Sequence, residues 1–548
     1  MGMMDKTLRR LFTVLALALS FSACQKEEEK KTVVLTPQLR SVQVQSASVE
    51  IPAGGKVELT FTVDDRKFAF DPASDVILSP QPEAFTLTGV RSTGEGQYVA
   101  TLSDSGKGEE YEHSVRLGIR EKTGVESFVF SSSVTVRLKR LSPGFLIPET
   151  GLATVYIDTE NGARIVSKEE YVPAALTVKT KDGEYDMEQV SCSVRGRGNT
   201  TWEWPKKPYL IKLDKKEKVL GMPKHKRWIL LANFMDRTLM RNLVSMKVSS
   251  MTNLAWTPHC EPVELVLNGI HKGSYLLIEQ VRVDKNRVDV TEMTPEDNTG
   301  EAVTGGYLLE CDFHFDNEVQ WTDLHGGCVQ WGKDGGIPFS VKYPDVEDLT
   351  QAQLDYIKQY VSDTAETLYG EDFTDPEKGY ARYIDVDSFV DYWIVFEVMG
   401  NHELGNPGSV YMHKDRGGKL VAGPCWDFDW GVLSYNTSPQ GKTGLINGEA
   451  IWYARLFQDP VFKEKVISRF EELLPQLETI PAYMDALQAQ LSESAKYNFR
   501  LWNPAEDASM NGGFIINGDE NLTFDDAVKR LKDNYAIRLS VMSDKLKN

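Results

Sequence analysis

Cysteine is scarce, with six residues in a chain of 548 and none in a Cys-x-x-Cys pair. That excludes a disulfide framework and argues against a structural zinc site, which draws on paired thiolates. Positive charge is also in short supply. Lys plus Arg is 61 against 80 for Asp plus Glu, a net charge of −19. A general nucleic-acid binder needs a basic surface to displace counterions from phosphates, so that class falls away. Gly-x-Ser-x-Gly, His-Glu-x-x-His and Walker A patterns are absent, which removes the hydrolases and P-loop enzymes that carry them. The eight histidines form no catalytic grouping, and no internal repeat occurs. Apolar and aromatic content, 41% and 10%, is ample for sizeable cores, so wholesale disorder is excluded.

The N-terminus reads as an export signal over residues 1–23. Lys6, Arg9 and Arg10 precede an apolar stretch from Leu11 to Phe21 that is too short to span a bilayer. The stretch ends in Phe21-Ser22-Ala23-Cys24, which resembles a bacterial lipobox with Phe21 where Leu is usual. Cys24 is then the lipidated first residue of the mature chain, anchored in the outer membrane and facing the periplasm or the cell surface. Residues 24–34, rich in Lys and Glu, read as a solvated tether.

From 35 to 141, short period-two runs such as Val57–Val63 and Val134–Leu138 predict a β-sandwich of the immunoglobulin-like kind. Ser142-Pro143-Gly144 marks its end. The region 146–546 reads as a second, larger domain, strand-rich first and mainly helical afterwards. Strands are expected at Ala153–Ile157, Tyr209–Leu213, Trp228–Leu231, Val263–Leu267 and Ser274–Ile278. Helices are expected at Arg237–Met251 with Asp236 as N-cap, at Asp387–Gly400, and at Phe462–Leu474, Ala482–Leu501 and Phe524–Leu546. The fold class is α+β, with a cleft between a strand-rich and a helical lobe.

Three groupings could carry chemistry. Arg195-Gly196-Arg197-Gly198-Asn199 is a short glycine loop whose amides can approach an anion, and Lys212 lies on the strand behind it. Asp427 and Asp429 in Trp426-Asp427-Phe428-Asp429-Trp430 fall on one face if the segment is extended. Two adjacent carboxylates repel, and Mg²⁺ or Mn²⁺ would neutralise them. Asn401 offers a further oxygen ligand, Glu403 a base, and Lys414 a cation within reach of an anion.

Together these segments are more specific than any one of them. RGRGNTTWEWPKKPYLIKLDKK (195–216), LGMPKHKRWILLANFMDRTLMRN (220–242), GSYLLIEQVRV (273–283), GGYLLECD (305–312) and NHELGNPGSVYMHKDRGGKLVAGPCWDFDWG (401–431) resemble the CotH family of kinase-like proteins. The resemblance implies a divergent two-lobed protein-kinase-like domain. It implies an atypical protein kinase that transfers phosphate from ATP to Ser or Thr of a secreted or surface protein. It assigns nucleotide contacts to Arg195, Arg197, Gly198, Asn199, Lys212 and Lys414, metal contacts to Asp427, Asp429 and Asn401, and catalytic roles to Glu403 and Lys212. Glu403 stands where the family often shows Asp. Asp236, Arg237, Arg241 and Asn242 read as structural residues that orient neighbouring strands. The alternative is a non-catalytic lipoprotein that binds protein or glycan on the same scaffold. Trp202 and Trp204 would suit a glycan, but two carboxylates on one strand do not flank a glycosidic bond.

Overall fold

A computed structural model describes residues 41–64, 71–108, 112–123, 125–139, 147–313, 319–330, 333–434, 439–502 and 517–547. The signal segment, Cys24 and the Ser142–Gly144 boundary lie outside the described residues.

Alternation of apolar and polar residues builds the first unit as two sheets. One orders its strands as Val42–Val44, Lys56–Val63, Gln97–Asp104 and Phe85–Gly94. The other runs Ser48–Ile51, Val134–Leu138, Glu112–Thr123 and Val76–Ser79, with Val125–Phe130 paired to Glu112–Thr123. Inward residues such as Ile51, Leu59, Phe61, Leu117 and Val136 share one core.

The next unit is a closed seven-stranded barrel. Its order is Ala153–Thr159, Val172–Lys179, Met187–Gly196, Tyr209–Glu217, His225–Leu231, Ile270–Glu279 and Cys260–Leu267. Parallel pairing of Ala153–Ile157 with Val263–Leu267 closes it, which removes both open edges. Period two sorts the side chains. Tyr209, Ile211, Leu213, Trp228 and Leu230 fill the interior. Leu210, Ile229, Leu231, Leu276 and Ile278 point outward into the core of the C-terminal region.

That region is less helical than its sequence pattern suggests. A five-stranded sheet crosses it in the order Gln320–Gln330, Lys333–Tyr343, Tyr307–Cys311, Val410–Lys414 and Leu420–Ala422. Tyr307–Cys311 is buried along its whole length because both its faces are covered. Around the sheet pack Gln351–Tyr369, Val386–Val398, Pro460–Leu477, Ile480–Leu501 and Phe524–Lys547. Thr350 and Gln353 form a capping box on the first of these. Val386–Val398 buries every residue from Ser388 onward, so its apolarity is that of a central helix. Asp385 caps its start, and Gly400, at φ +60°, lies just beyond its end.

The helix expected over Arg237–Met251 starts later, at Arg241, with Met240 at the cap position. Asp236 does not cap it in the simple sense. Its carboxylate accepts from the Thr238 and Arg241 amides, both at 2.9 Å, and pairs with the Arg241 guanidinium. Cys192, Cys260, Cys311 and Cys425 are free thiols. Burial pushes those of Cys192 and Cys425 up to about 12, so neither is a nucleophile at neutral pH. Among the described residues no helix is long and apolar enough to cross a membrane.

Candidate active site

The barrel's outer face and the C-terminal region enclose a cleft of about 820 Å³. Leu210, Ile229 and Leu231 form its apolar side. Arg195 and Arg197 come from the end of the Met187–Gly196 strand and the loop after it. Asp427, Asp429, Glu403, Asp312 and Glu310 contribute carboxylates from the opposite side.

The Asp427–Asp429 segment is not extended. The chain leaves the Leu420–Ala422 strand and turns at Asp427, whose φ is +64°. Asp tolerates this left-handed region better than most non-glycine residues. Trp426 and Phe428 are buried, and Phe428 packs on Phe396 with ring centroids 4.7 Å apart. Anchoring these rings in the core leaves both intervening carboxylates lining the cleft. Polar clamps hold the turn. Asn242 accepts from the Phe428 amide at 2.9 Å, and Asn517 accepts from the Gly431 amide at 3.0 Å. Arg241, itself paired with Asp236 and Asp519, donates to the Val432 carbonyl at 2.9 Å. The Asp236, Arg241 and Asn242 group is thus structural, and what it orients is this turn. Asn242→Leu leaves the buried Phe428 amide unpaired. Chemical denaturation should show a loss of about 1–3 kcal/mol.

Burial, and then Asp427, hold the Asp429 carboxyl well above the usual carboxylate range. The negative charge of one makes ionisation of the other harder, so the pair is easier to hold when something neutralises it. Burial, and then Asp427, Asp429 and Asp312, raise Glu403 in the same way. Arg197 offsets part of this field and sits 5.8 Å from the Trp426 ring centroid. Among the described residues no three acid, His or Cys side chains already stand together as a metal-binding group. The donor chemistry nevertheless fits a hard cation. Two crowded carboxylates whose charges oppose one another can be neutralised by Mg²⁺ or Mn²⁺. Asp427 and Asp429 would hold that ion.

The structure separates the sequence-derived candidates into two groups. Arg195, Arg197, Gly198, Asn199, Glu403, Asp427 and Asp429 line one cleft. Gly198 has φ +87°, and a Cβ there would collide with the Thr201 hydroxyl. Lys212 does not line the cleft. It is exposed on the barrel's outer face, 5.7 Å from the Tyr171 ring centroid. Lys414 is buried on the far side of its strand, bonded to the Thr304 carbonyl and set against Tyr356 and Tyr360. Burial lowers its amine to about 8. Asn401 is buried outside the cleft, and its amide oxygen accepts from the Glu403 backbone N–H at 2.9 Å. It positions Glu403 and does not present that oxygen to the aspartates.

Several cleft residues escaped the sequence reading. Glu310 and Asp312 are two apart at the end of one strand, so period two puts both on one face. That spacing was available in GGYLLECD. Lys342, 3.1 Å from Glu310, comes from the neighbouring strand, and only sheet pairing reveals it. Trp204, named in the sequence only as a candidate glycan contact, stacks on Trp430 at 6.4 Å and 11° and packs on Phe234 at 5.8 Å with a tilt of 44°. These three rings come from separate segments and form one aromatic wall.

Known structures overlap the chain weakly. The Yersinia pseudotuberculosis adhesin InvE is 13% identical and covers 28% of this chain and 38% of its own, with a TM-score of 0.14. Domains 4–9 of surface layer protein SbsC are 14% identical over 48% of this chain and 35% of their own, with a TM-score of 0.13. A marsupial T cell receptor is 8% identical over 32% of this chain and 91% of its own, with a TM-score of 0.13. The chain thus spans little more than a third of the first two structures it matches. No curated protein matches. The family model described as CotH kinase protein matches residues 194–542, more than half of the chain and the part that builds the cleft. The chain belongs to the CotH kinase family.

Proposed function

We propose that this chain is an exported phosphotransferase that moves the γ-phosphate of ATP to a Ser or Thr hydroxyl of an extracytoplasmic protein. The observation that carries the reading is the meeting of Asp427, Asp429, Glu403 and Arg197 in one cleft. Phosphoryl transfer asks mainly for positioning and charge neutralisation, which these side chains supply. When bound, Mg²⁺ or Mn²⁺ would neutralise phosphate charge. Arg197 holds phosphate oxygens. Glu403 orients the acceptor hydroxyl and takes its proton as that oxygen attacks the γ-phosphorus and the bond to ADP breaks. A carboxylate raised above its ordinary range is a stronger base, which suits this task. Lipidation at Cys24 would tether the enzyme to the outer membrane.

The test is transfer of label from γ-labelled ATP to candidate surface proteins with Mn²⁺ or Mg²⁺. Glu403→Gln should lower turnover by about 10²–10⁴-fold while nucleotide binding persists. A second reading, a non-catalytic binding lipoprotein, draws on Glu403 standing where the family often has Asp. Calorimetry that finds no ATP or metal binding would select it.

A further inference from the structure

At the edge of the cleft, three cations gather on one tyrosine. The Arg195 guanidinium lies 5.2 Å from the Tyr171 ring centroid and the Lys212 ammonium 5.7 Å from it. Arg227 donates to the Tyr171 hydroxyl at 3.0 Å. Lys212 and Arg227 are direct cross-strand partners, and like charges in that position repel. None of the three forms an ion pair among the described residues, in a chain with 80 acidic side chains against 61 basic ones. Acids near them are engaged elsewhere. Asp214 accepts from Ser191 at 2.6 Å, and Asp284 pairs with Lys216 at 2.5 Å. Glu169 and Glu170, just before Tyr171, are exposed and pair with none of the three. The buried Arg195 Nε has no hydrogen-bond partner. Three uncompensated cations held against one ring, one of them with an orphaned donor, form a site for an external anion.

The position says which anion. Arg195 lines the cleft, whereas Lys212 and Arg227 lie past Leu210 and Ile229 on the rim. Arg197 is the cation whose charge acts on Asp429, so phosphates held at Asp427 and Asp429 would meet it before Lys212 and Arg227. An anion on the rim therefore belongs to something longer that runs out of the cleft. We infer that Arg195, Lys212 and Arg227, gathered around Tyr171, bind carboxylate or phosphate groups flanking the acceptor residue, so that the chain selects acidic polypeptides. The inference rests on the phosphotransfer reading only for calling that polypeptide an acceptor.

The experiment measures binding of a fluorescent Ser peptide flanked by Glu and Asp to the full chain. The control peptide has Gln and Asn in their place. Calorimetry follows Mn²⁺–ATP in parallel. Wild type should bind the acidic peptide at least tenfold more tightly than the control, with affinity falling as salt rises. Lys212→Ala combined with Arg227→Gln should remove that preference and leave Mn²⁺–ATP affinity unchanged. Both side chains lie on the barrel surface, and an unchanged melting temperature verifies the fold. An undiminished preference in the double variant overturns the inference. So does a loss of Mn²⁺–ATP affinity with peptide binding intact, which would assign the cations to the nucleotide. If wild type binds no ATP but keeps a peptide preference that depends on Lys212 and Arg227, the anion site stands and the phosphotransfer reading fails.

Discussion

Asp429→Asn is expected to lower metal-dependent phosphotransfer by about 10²–10³-fold and, in the same protein, to raise the stability of the metal-free chain. Both effects have one origin. Asp429 is half-buried beside Asp427, and its carboxyl is held well above the usual range. A carboxylate raised by folding contributes stability that is fully present below its unfolded pKa. That stability is lost as pH rises through the folded value. The metal-free wild type should therefore melt at lower temperature as pH rises above the ordinary Asp range. Asp429→Asn removes the ionisation and flattens that slope, gaining about 1 kcal/mol at neutral pH. Mn²⁺ should stabilise the wild type and do much less for the variant. Thermal melts across pH, with and without Mn²⁺, read out every part of this. An Asp429→Asn protein with the wild-type pH slope and the wild-type Mn²⁺ response would remove Asp429 from the metal assignment.

Arg538→Met is expected to cost about 3–5 kcal/mol, the largest stability loss for a single change outside the cleft. Arg538 and Glu397 are both fully buried and paired. Arg538 also donates to the Gly441 carbonyl at 2.6 Å, the Gly444 carbonyl at 2.9 Å and the Glu397 carbonyl at 3.0 Å. Removing the guanidinium leaves a buried carboxylate with no counter-charge. Burial already raises the Glu397 carboxyl, and loss of Arg538 raises it further. By the same sign, the deficit should be smallest at acidic pH, where Glu397 is neutral, and should grow towards neutral pH. Urea melts at the two ends check this. Adding Glu397→Gln should recover part of the loss, because Gln keeps an acceptor without the charge.

The effect should reach the site. Glu397 accepts from the Ile446 amide at 2.8 Å and the Asn447 amide at 2.9 Å. The Asn447 side chain donates to the Asn401 carbonyl at 2.9 Å, and Asn401 holds the Glu403 amide. A buried ion pair thus stands three hydrogen bonds from the candidate base. Arg538→Met should lose activity at temperatures well below its own melting transition, since small misplacements of a reacting group carry large rate penalties.

Period-two alternation was enough to place strands at Ala153–Ile157, Tyr209–Leu213 and Trp228–Leu231, each inside a longer barrel strand, because burial of one face leaves a local imprint. The turn chemistry of Thr523 and Asp526, which bond each other across the start of the last helix, was equally local. Motifs in the sequence also singled out Arg197, Glu403, Asp427 and Asp429, and the fold brings these together. Local pattern failed where a second segment decides the outcome. Lys212 was read as a cleft residue because its strand is correct, yet the cleft ends at Leu210, two residues earlier on the same outer face. Lys414 lies on the face of its strand covered by Tyr356 and Tyr360, a helix away in sequence. Asn401 carries the right chemistry, but the turn to Glu403 engages its oxygen. Glu310, Lys342 and the Trp204–Trp430–Phe234 wall depend on strand register and on contacts across hundreds of residues. The sequence by itself determined which residues could do chemistry and which way each alternates along its own strand. The tertiary structure decided which of those faces meet, because barrel closure, sheet order and the packing of the two regions join segments that share no local signal.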